Sequence, residues 1–239
     1  MADEAGLVSV LVPCCGQLEH TRLSLPRVLR HSRPPVEVLC LDAGSLDGTR
    51  EYLEGIAAAS PVRVEVLRSD EEDGFAALVA QALAKARGRL VAWVGNDVLV
   101  TALWLQHLSG LLAMDARIGV ACPVSNLAGE ALRVADVPYR LAAPQGGAGG
   151  AGLDTAPVDA FAAQVKEAGK GQWKHVEQAG GFCWLARREV LDKALSGGEA
   201  AEALLDEARL SAVVRKAGFQ IACCRDLYVH HFGSNLLAT

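Results

Sequence analysis

Val91-Ala92-Trp93-Val94-Gly95-Asn96-Asp97 is the stretch from which the fold can be read. Four apolar residues run without alternation and stop abruptly in a glycine, an amide and a carboxylate. A run of this kind predicts a strand covered on both faces, as in a parallel sheet whose crossovers are helices. The polar tip falls at the carboxyl end. In open α/β sheets ligands bind beyond that end. Asp97 is therefore expected where a metal or a phosphate-bearing ligand would be held.

The flanking sequence supports this reading. Upstream, Leu7 to Val12 is a first buried strand stopped by Pro13, with Cys14-Cys15-Gly16 as a loop and a helix over Thr21 to His31. Val36 to Leu41 is a second strand ending in Asp42, and Asp47 is suited to cap a helix over Arg50 to Ala59. Val62 to Leu67 is a third strand. Gly74-Phe75 opens an alanine-rich helix that Gly88 follows. Downstream, Trp104 to Met114 reads as a helix and Ile118 to Cys122 as a short strand before Pro123. Strands alternating with helices imply a doubly wound, mainly parallel sheet with helices on both faces.

The second half is less regular. Residues 145–152 are glycine-rich and read as a flexible segment. Helices are expected over Asp159 to Ala168 and, as one long element, over Glu199 to Ala217; strands over Gly181 to Ala186 and Gln220 to Cys224; and Tyr228 to Ser234 closes the pattern.

Composition narrows the function. The chain has 239 residues, enough for a sizeable core, and 51% of them are hydrophobic, which argues against disorder. The net charge is −5 and no basic run occurs, so nothing electrostatic favours nucleic acid or an anionic membrane. No apolar stretch reaches transmembrane length, and the acidic start (Met-Ala-Asp-Glu) is unlike a signal peptide. Seven cysteines without CxxC spacing suggest neither a disulfide framework nor a zinc ribbon. Reduced thiols and a cytoplasmic location are the expectation. No GxGxxG follows the first strand, which disfavours a dinucleotide-dependent oxidoreductase.

Several segments, taken in order, resemble family-2 glycosyltransferases of the GT-A fold, the nucleotide-diphospho-sugar transferases. They are Val8 to Pro13, Leu41 to Thr49, Gly74-Phe75-Ala76-Ala77, Gly95-Asn96-Asp97, Gly181 to Val190, Ala217-Gly218-Phe219 and Val229 to Ser234. The resemblance implies one GT-A domain over residues 1–239, with a donor-binding half over 1–125 and an acceptor and catalytic half over 126–239. It implies transfer of a sugar, a hexosyl or related group, from a nucleotide-diphosphate donor to the hydroxyl of a saccharide, lipid-linked glycan or protein, with inversion and a divalent metal (Mn or Mg). A hard cation with oxygen ligands suits the charge of a departing diphosphate.

The same resemblance assigns roles. Asp97 would ligate the metal, helped by a histidine of the closing segment, His231 in preference to His230. Asp42 would accept a hydrogen bond from the nucleobase; Pro13 and Cys14 would line the base and ribose pocket. Gly74 and Phe75 would close over the nucleotide, and Asn96 would contribute to the sugar-nucleotide site. Glu207 takes the general-base position, with Asp206 beside it able to substitute. The shortened, alanine-rich stretch before Asp206, and Arg209 where an acidic residue is usual, keep a second expectation open: a module of the same fold that binds donor but has lost catalysis.

Overall fold

The computed structural model describes residues 6–33, 35–69, 74–144, 153–194 and 200–233. The glycine-rich residues 145–152 lie outside them. Four parallel strands form the first block: β1 (Val8–Pro13), β2 (Val36–Ala43), β3 (Val64–Ser69) and β4 (Leu90–Val94), in the spatial order β3-β2-β1-β4. The helices α1 (Leu18–His31), α2 (Thr49–Ala59) and α3 (Gly74–Lys85) connect them. β1 and β2 are buried along nearly their whole length. This is why they read as continuous apolar runs rather than alternating ones.

The sheet continues through the second half with mixed directions. Beyond β4 come β8 (Cys183–Arg187), β6 (Ile118–Ser125), β9 (Gln220–His231) and the two-residue β5 (Val98–Leu99), with β7 (Trp173–Val176) also on β9. β8 runs antiparallel to both β4 and β6, and β9 runs parallel to β6. Trp93 and Trp184 face each other across the β4–β8 junction and stack at 6.2 Å with an 8° interplanar angle. The helices of this half are α4 (Trp104–Met114), α5 (Ala156–Ala168), α6 (Arg188–Ala194), α7 (Ala200–Leu204) and α8 (Glu207–Lys216). Trp104 is fully buried and donates its indole N–H to Ser32, anchoring α4 against the end of α1.

Three sequence expectations change. The single helix expected over Glu199 to Ala217 is two, because Asp206 adopts an extended conformation and caps α8 with its side chain. The strand expected to end before Pro123 runs through it to Ser125, because its partner β9 bulges there. Cys224 pairs with Pro123 but the next rung is Val124 with Tyr228, so residues 225–227 loop out where proline has no N–H to donate. As a result, the strand expected over Gln220 to Cys224 continues past the bulge to His231 as one β9. β5 and β7 carry no readable period; their partners on β9 create them.

Two charged knots close the frame. Buried Arg27 of α1 donates to the carbonyl of Val100, to Thr155 and to Asp159, tying α1 to α5. At the amino end of the sheet, Glu37 is almost fully buried. It accepts bonds from Ser9 Oγ at 2.6 Å, from the Arg87 N–H at 2.7 Å and from the Arg87 and Arg63 guanidinium groups. Ser9 Oγ in turn accepts from Gly88 N–H, where a Cβ would stand 2.6 Å from the Ser9 nitrogen. Glycine is thus required there by close backbone approach.

Burial alone would raise the Glu37 pKa, but the bonds from Ser9, Arg87 and Arg63 overcome it and lower it. A depressed carboxylate stabilises the fold fully above the ordinary carboxylate range and loses that contribution as pH falls through its depressed value. Glu37→Ala leaves Ser9 Oγ and the Arg87 backbone N–H without their carboxylate acceptor and is expected to cost about 2–3 kcal/mol in urea unfolding. It should also flatten the acid limb of the stability curve.

Candidate active site

The site is built at the carboxyl edge of the parallel block. Gly95 N–H donates to the Phe182 carbonyl and Val98 N–H to the Gly95 carbonyl, so the chain turns sharply after β4. β5 then pairs antiparallel with the end of β9, Val98 opposite His231 and Leu99 opposite His230, and Phe232 N–H donates to the Asp97 carbonyl. That register brings the His231 imidazole to Asp97: Nε2 lies 3.2 Å from Oδ2. Asp97 is 1% exposed.

His231 Nδ1 lies 2.9 Å from the Leu127 carbonyl, which can only accept, so Nδ1 carries hydrogen and Nε2 is the nitrogen turned to the carboxylate. Burial opposes a charge on His231, yet the bond and charge of Asp97 overcome it and raise its pKa. A carbonyl that sets the tautomer of an imidazole while the other nitrogen meets a carboxylate is the usual support of a metal-ligating histidine. The pair Asp97 and His231 fits a divalent cation whose remaining positions are filled by ligand oxygens and water. Adjacent strand residues point to opposite faces. His230 is accordingly turned away, with its Nδ1 2.9 Å from the Tyr139 hydroxyl. Burial first, and then the charge of His231, push the His230 pKa down to about 4, against the pull of Asp97. His231, rather than His230, is the histidine set against Asp97.

Loops after β1 and β2 interlock beside this pair. Asp42 is fully buried. Its Oδ1 accepts from Ser45 N–H at 3.0 Å and its Oδ2 from the Arg68 guanidinium. Ser45 Oγ donates to the Cys14 carbonyl and accepts from Gly16 N–H at 2.7 Å. β1 separates β2 from β4, so Asp42 and Asp97 project from strands roughly 10 Å apart. Pro13 ends β1 and is buried. Cys14 turns its thiol inward against Cys40, and that contact with burial holds it well above the ordinary range. The Cys15 thiol lies by the Ala43 backbone: burial pushes it up to about 11, that backbone pulls it back and the Asp42 charge adds to the rise, as it does for Cys14.

Asn96 is fully buried; its amide donates to the Gly16 carbonyl and to Thr21 Oγ1, tying the tip of β4 to the β1–α1 loop. Gly74 and Phe75 begin α3, the first buried and the second partly so. Glu207, at the first turn of α8, is exposed and accepts from Gly181 N–H at 2.7 Å; Gln178 Nε2 lies 3.3 Å from its other oxygen. A Cβ on Gly181 would stand 2.9 Å from the Glu207 side chain. The Glu207 charge reaches His231, and Phe182 stacks on His231 at 5.3 Å, so Glu207 belongs to the same edge as the Asp97 pair. Asp206 is engaged as a cap: its carboxylate accepts from Arg209 N–H at 2.8 Å at the start of α8.

Sequence reasoning missed several members. Arg68 pairs with Asp42 from the neighbouring strand β3, a relation only strand order reveals. His20 of α1 lies edge-on to Phe232 at 5.3 Å and feels the Asp97 charge, although burial lowers its pKa. Asn126 grips β9 by donating to the His231 carbonyl and accepting from the His231 N–H. Among these only Asn126 had a readable signal, a polar residue just beyond a strand end.

Comparison with known proteins shows the family and the fold. The family model described as glycosyl transferase family 2 matches residues 9–136, and the chain belongs to that family. The putative teichuronic acid biosynthesis glycosyltransferase TuaG of Bacillus subtilis is 33% identical over 97 residues, covering 41% of this chain and 38% of that protein. The protein y4gI of Sinorhizobium fredii is 33% identical over 122 residues, 51% of this chain and 13% of that protein. The mannosyltransferase PcManGT from Pyrobaculum calidifontis, solved with GDP-Man and Mn2+, superposes with a TM-score of 0.67 at 18% identity, over 95% of this chain and 57% of that one. GalNAc-T7, solved with UDP, GalNAc and Mn2+, superposes at 0.60 and 17% identity, over 94% of this chain and 43% of that one. The fold is GT-A. The chain spans well under two thirds of the length of each of these relatives.

The interlocked loops give a direct test. Asp47 Oδ2 accepts from Leu18 N–H at the start of α1, and its Oδ1 accepts from Thr49 N–H and Oγ1 at the start of α2. One carboxylate thus serves two helix amino ends, more than the single cap read from sequence. Asp47→Ala is expected to lower stability by about 1–2 kcal/mol in chemical unfolding, and Asp47→Asn by less.

Proposed function

We propose that the protein transfers a sugar from a nucleotide-diphosphate donor to an acceptor hydroxyl, with inversion, at the carboxyl edge of β1, β2 and β4. The observation that carries this reading is the convergence of Asp97 Oδ2 and His231 Nε2, 3.2 Å apart, with Leu127 setting the imidazole tautomer. Asp97 and His231 would hold a divalent cation, manganese or magnesium, which when bound neutralises charge on the departing diphosphate.

The chain's own residues divide the remaining work. Asp42, with Arg68 against it and its charge reaching Cys15, forms the nucleobase end of the site. Asn96 holds the β1–α1 loop in place from below. Cys14 serves that loop as a packed residue, and its carbonyl orients Ser45. Pro13 fixes where β1 ends, and Gly74 and Phe75 border the nucleotide from α3. Glu207 acts as general base. The acceptor oxygen bonds to the anomeric carbon, the bond from that carbon to the diphosphate oxygen breaks, and the acceptor proton passes to Glu207. Gly181 N–H orients the Glu207 carboxylate for this step. His230, through Tyr139, Tyr228 and Asn126, supports the backbone of His231 rather than the ion. Residues 1–125 form the donor-binding half and residues 126–239 the acceptor half.

Calorimetry with UDP and GDP, with and without manganese, tests the binding half of this reading. Manganese is expected to tighten nucleotide binding at least tenfold, and Asp97→Asn or His231→Ala to remove that gain while leaving metal-free binding in place. A gain that survives Asp97→Asn would refute the assignment. Glu207→Gln should retain donor binding and lose at least a hundredfold of nucleotide release from sugar donors. An unchanged rate would remove Glu207 from the mechanism. Donor binding by the wild type with no release of nucleotide would favour a module that binds without transferring.

A further inference from the structure

A second group of ligating side chains lies on α4 and β9. His107, Cys224 and Asp226 each present one ligand atom, and these atoms all lie within 4.8 Å of one another. The bulge in β9 opposite Pro123 creates the group: residues 225–227 leave the ladder, and a bulge re-aims the side chains it carries. Asp226 Oδ2 is fixed by the Gly171 N–H at 2.9 Å. Its Oδ1 is the common focus, 3.2 Å from His107 Nδ1 and 3.0 Å from Cys224 Sγ. Cys224 is 4% exposed, and the His107 and Asp226 side chains 16% and 13%.

We infer that His107, Cys224 and Asp226 form a binding site for a transition-metal ion of the zinc class, distinct from the Asp97–His231 pair. Three observations carry this. The donor set of one thiolate, one imidazole and one carboxylate suits zinc or cobalt, whereas the oxygen-rich set expected around Asp97 suits manganese or magnesium. A thiolate and a carboxylate together balance a divalent ion, so a loaded site is neutral in a mostly buried place. A cavity of about 190 Å³ opens against His107 and Asp226, lined also by Thr101, Asp159 and Lys166, and leaves room for water at a fourth position.

Ligand atoms around a tetrahedral zinc stand roughly 3.3–3.7 Å apart; the two separations from Asp226 Oδ1, 3.2 and 3.0 Å, are close to that range, and the ligand atoms of His107 and Cys224 lie within 4.8 Å of each other. Loading deprotonates Cys224 and releases one proton per ion. Without an ion, burial and the neighbouring Asp226 hold that thiol well above its usual range, and the three groups form a hydrogen-bonded cluster. A bound ion would pin the bulge to α4, and with it the run from Tyr228 to His231 that ends at Asp97.

The test uses the full chain carrying Asp97→Asn, so that the other pair does not compete. Equilibrium dialysis with zinc, read by elemental analysis, is expected to leave one equivalent bound. Cobalt should give the near-ultraviolet thiolate-to-cobalt charge-transfer band, and zinc should raise the thermal unfolding midpoint. Adding Cys224→Ser should abolish the band, and adding His107→Gln should weaken zinc binding at least tenfold; circular dichroism checks that each folds. Should Cys224→Ser fail to fold, the His107→Gln arm decides alone. Less than a half-equivalent of zinc with no cobalt band, or binding that survives these substitutions through other cysteines, would overturn the proposal and leave a hydrogen-bond network.

Discussion

Two rungs of antiparallel ladder hold the candidate site together. Val98 opposite His231, Leu99 opposite His230 and the bond from Phe232 N–H to the Asp97 carbonyl join the tip of β4 to the last strand, more than 130 residues later in the chain. Backbone pairing sets the distance between a carboxylate and an imidazole that could not otherwise be specified. Because side chains alternate along a strand, the same register decides which of two neighbouring histidines meets Asp97. A slip of one residue would present His230 and turn His231 away.

That ladder depends in turn on how β9 reaches it. β9 runs beside β6, and Pro123 removes one donor from β6. The chain accommodates the loss by extruding residues 225–227 from β9. Beyond the bulge, Tyr228 and Val229 resume pairing, and Asn126 grips His231 by both backbone groups. Proline, bulge, amide clamp and terminal rungs form one sequence of constraints that ends at Asp97. The His107, Cys224 and Asp226 cluster lies at the middle of it, at the bulge.

The donor side is organised differently, by polar side chains bonded to backbone. Ser45 and Asp47 from the β2–α2 loop, and Asn96 from the turn after β4, bond the loop after β1 or the helix start that follows it. Loops at the edge of a sheet have few apolar contacts to hold them, and such bonds supply the order that packing does not. Gly95, the residue of the tip with no side chain, is spent on the turn itself: its N–H and carbonyl are both bonded to backbone.

Much of this was legible in the sequence, and for a physical reason. Burial on both faces makes a parallel strand an unbroken apolar run, and helices between such strands carry their own period, so the block from β1 to β4 and the placement of Asp42 and Asp97 at strand tips follow from residue order alone. Local chemistry was legible too, as with Asp47 at a helix start. The remainder was decided by pairing between distant segments. The strand that became β8 was readable, but its antiparallel place between β4 and β6, the two-residue β5 and the bulge leave no trace in residue order, since each depends on a partner strand. Nor does the division of labour within adjacent residues: Cys14 against Cys40 and Cys15 by Ala43, Asp206 as a cap and Glu207 at the site, His230 on Tyr139 and His231 on Asp97. The sequence by itself determined the layered α/β frame and which kinds of group stand at its carboxyl edge. Only the tertiary structure decided which member of each pair meets the other, because that choice rests on strand register and helix phase, which no local pattern records.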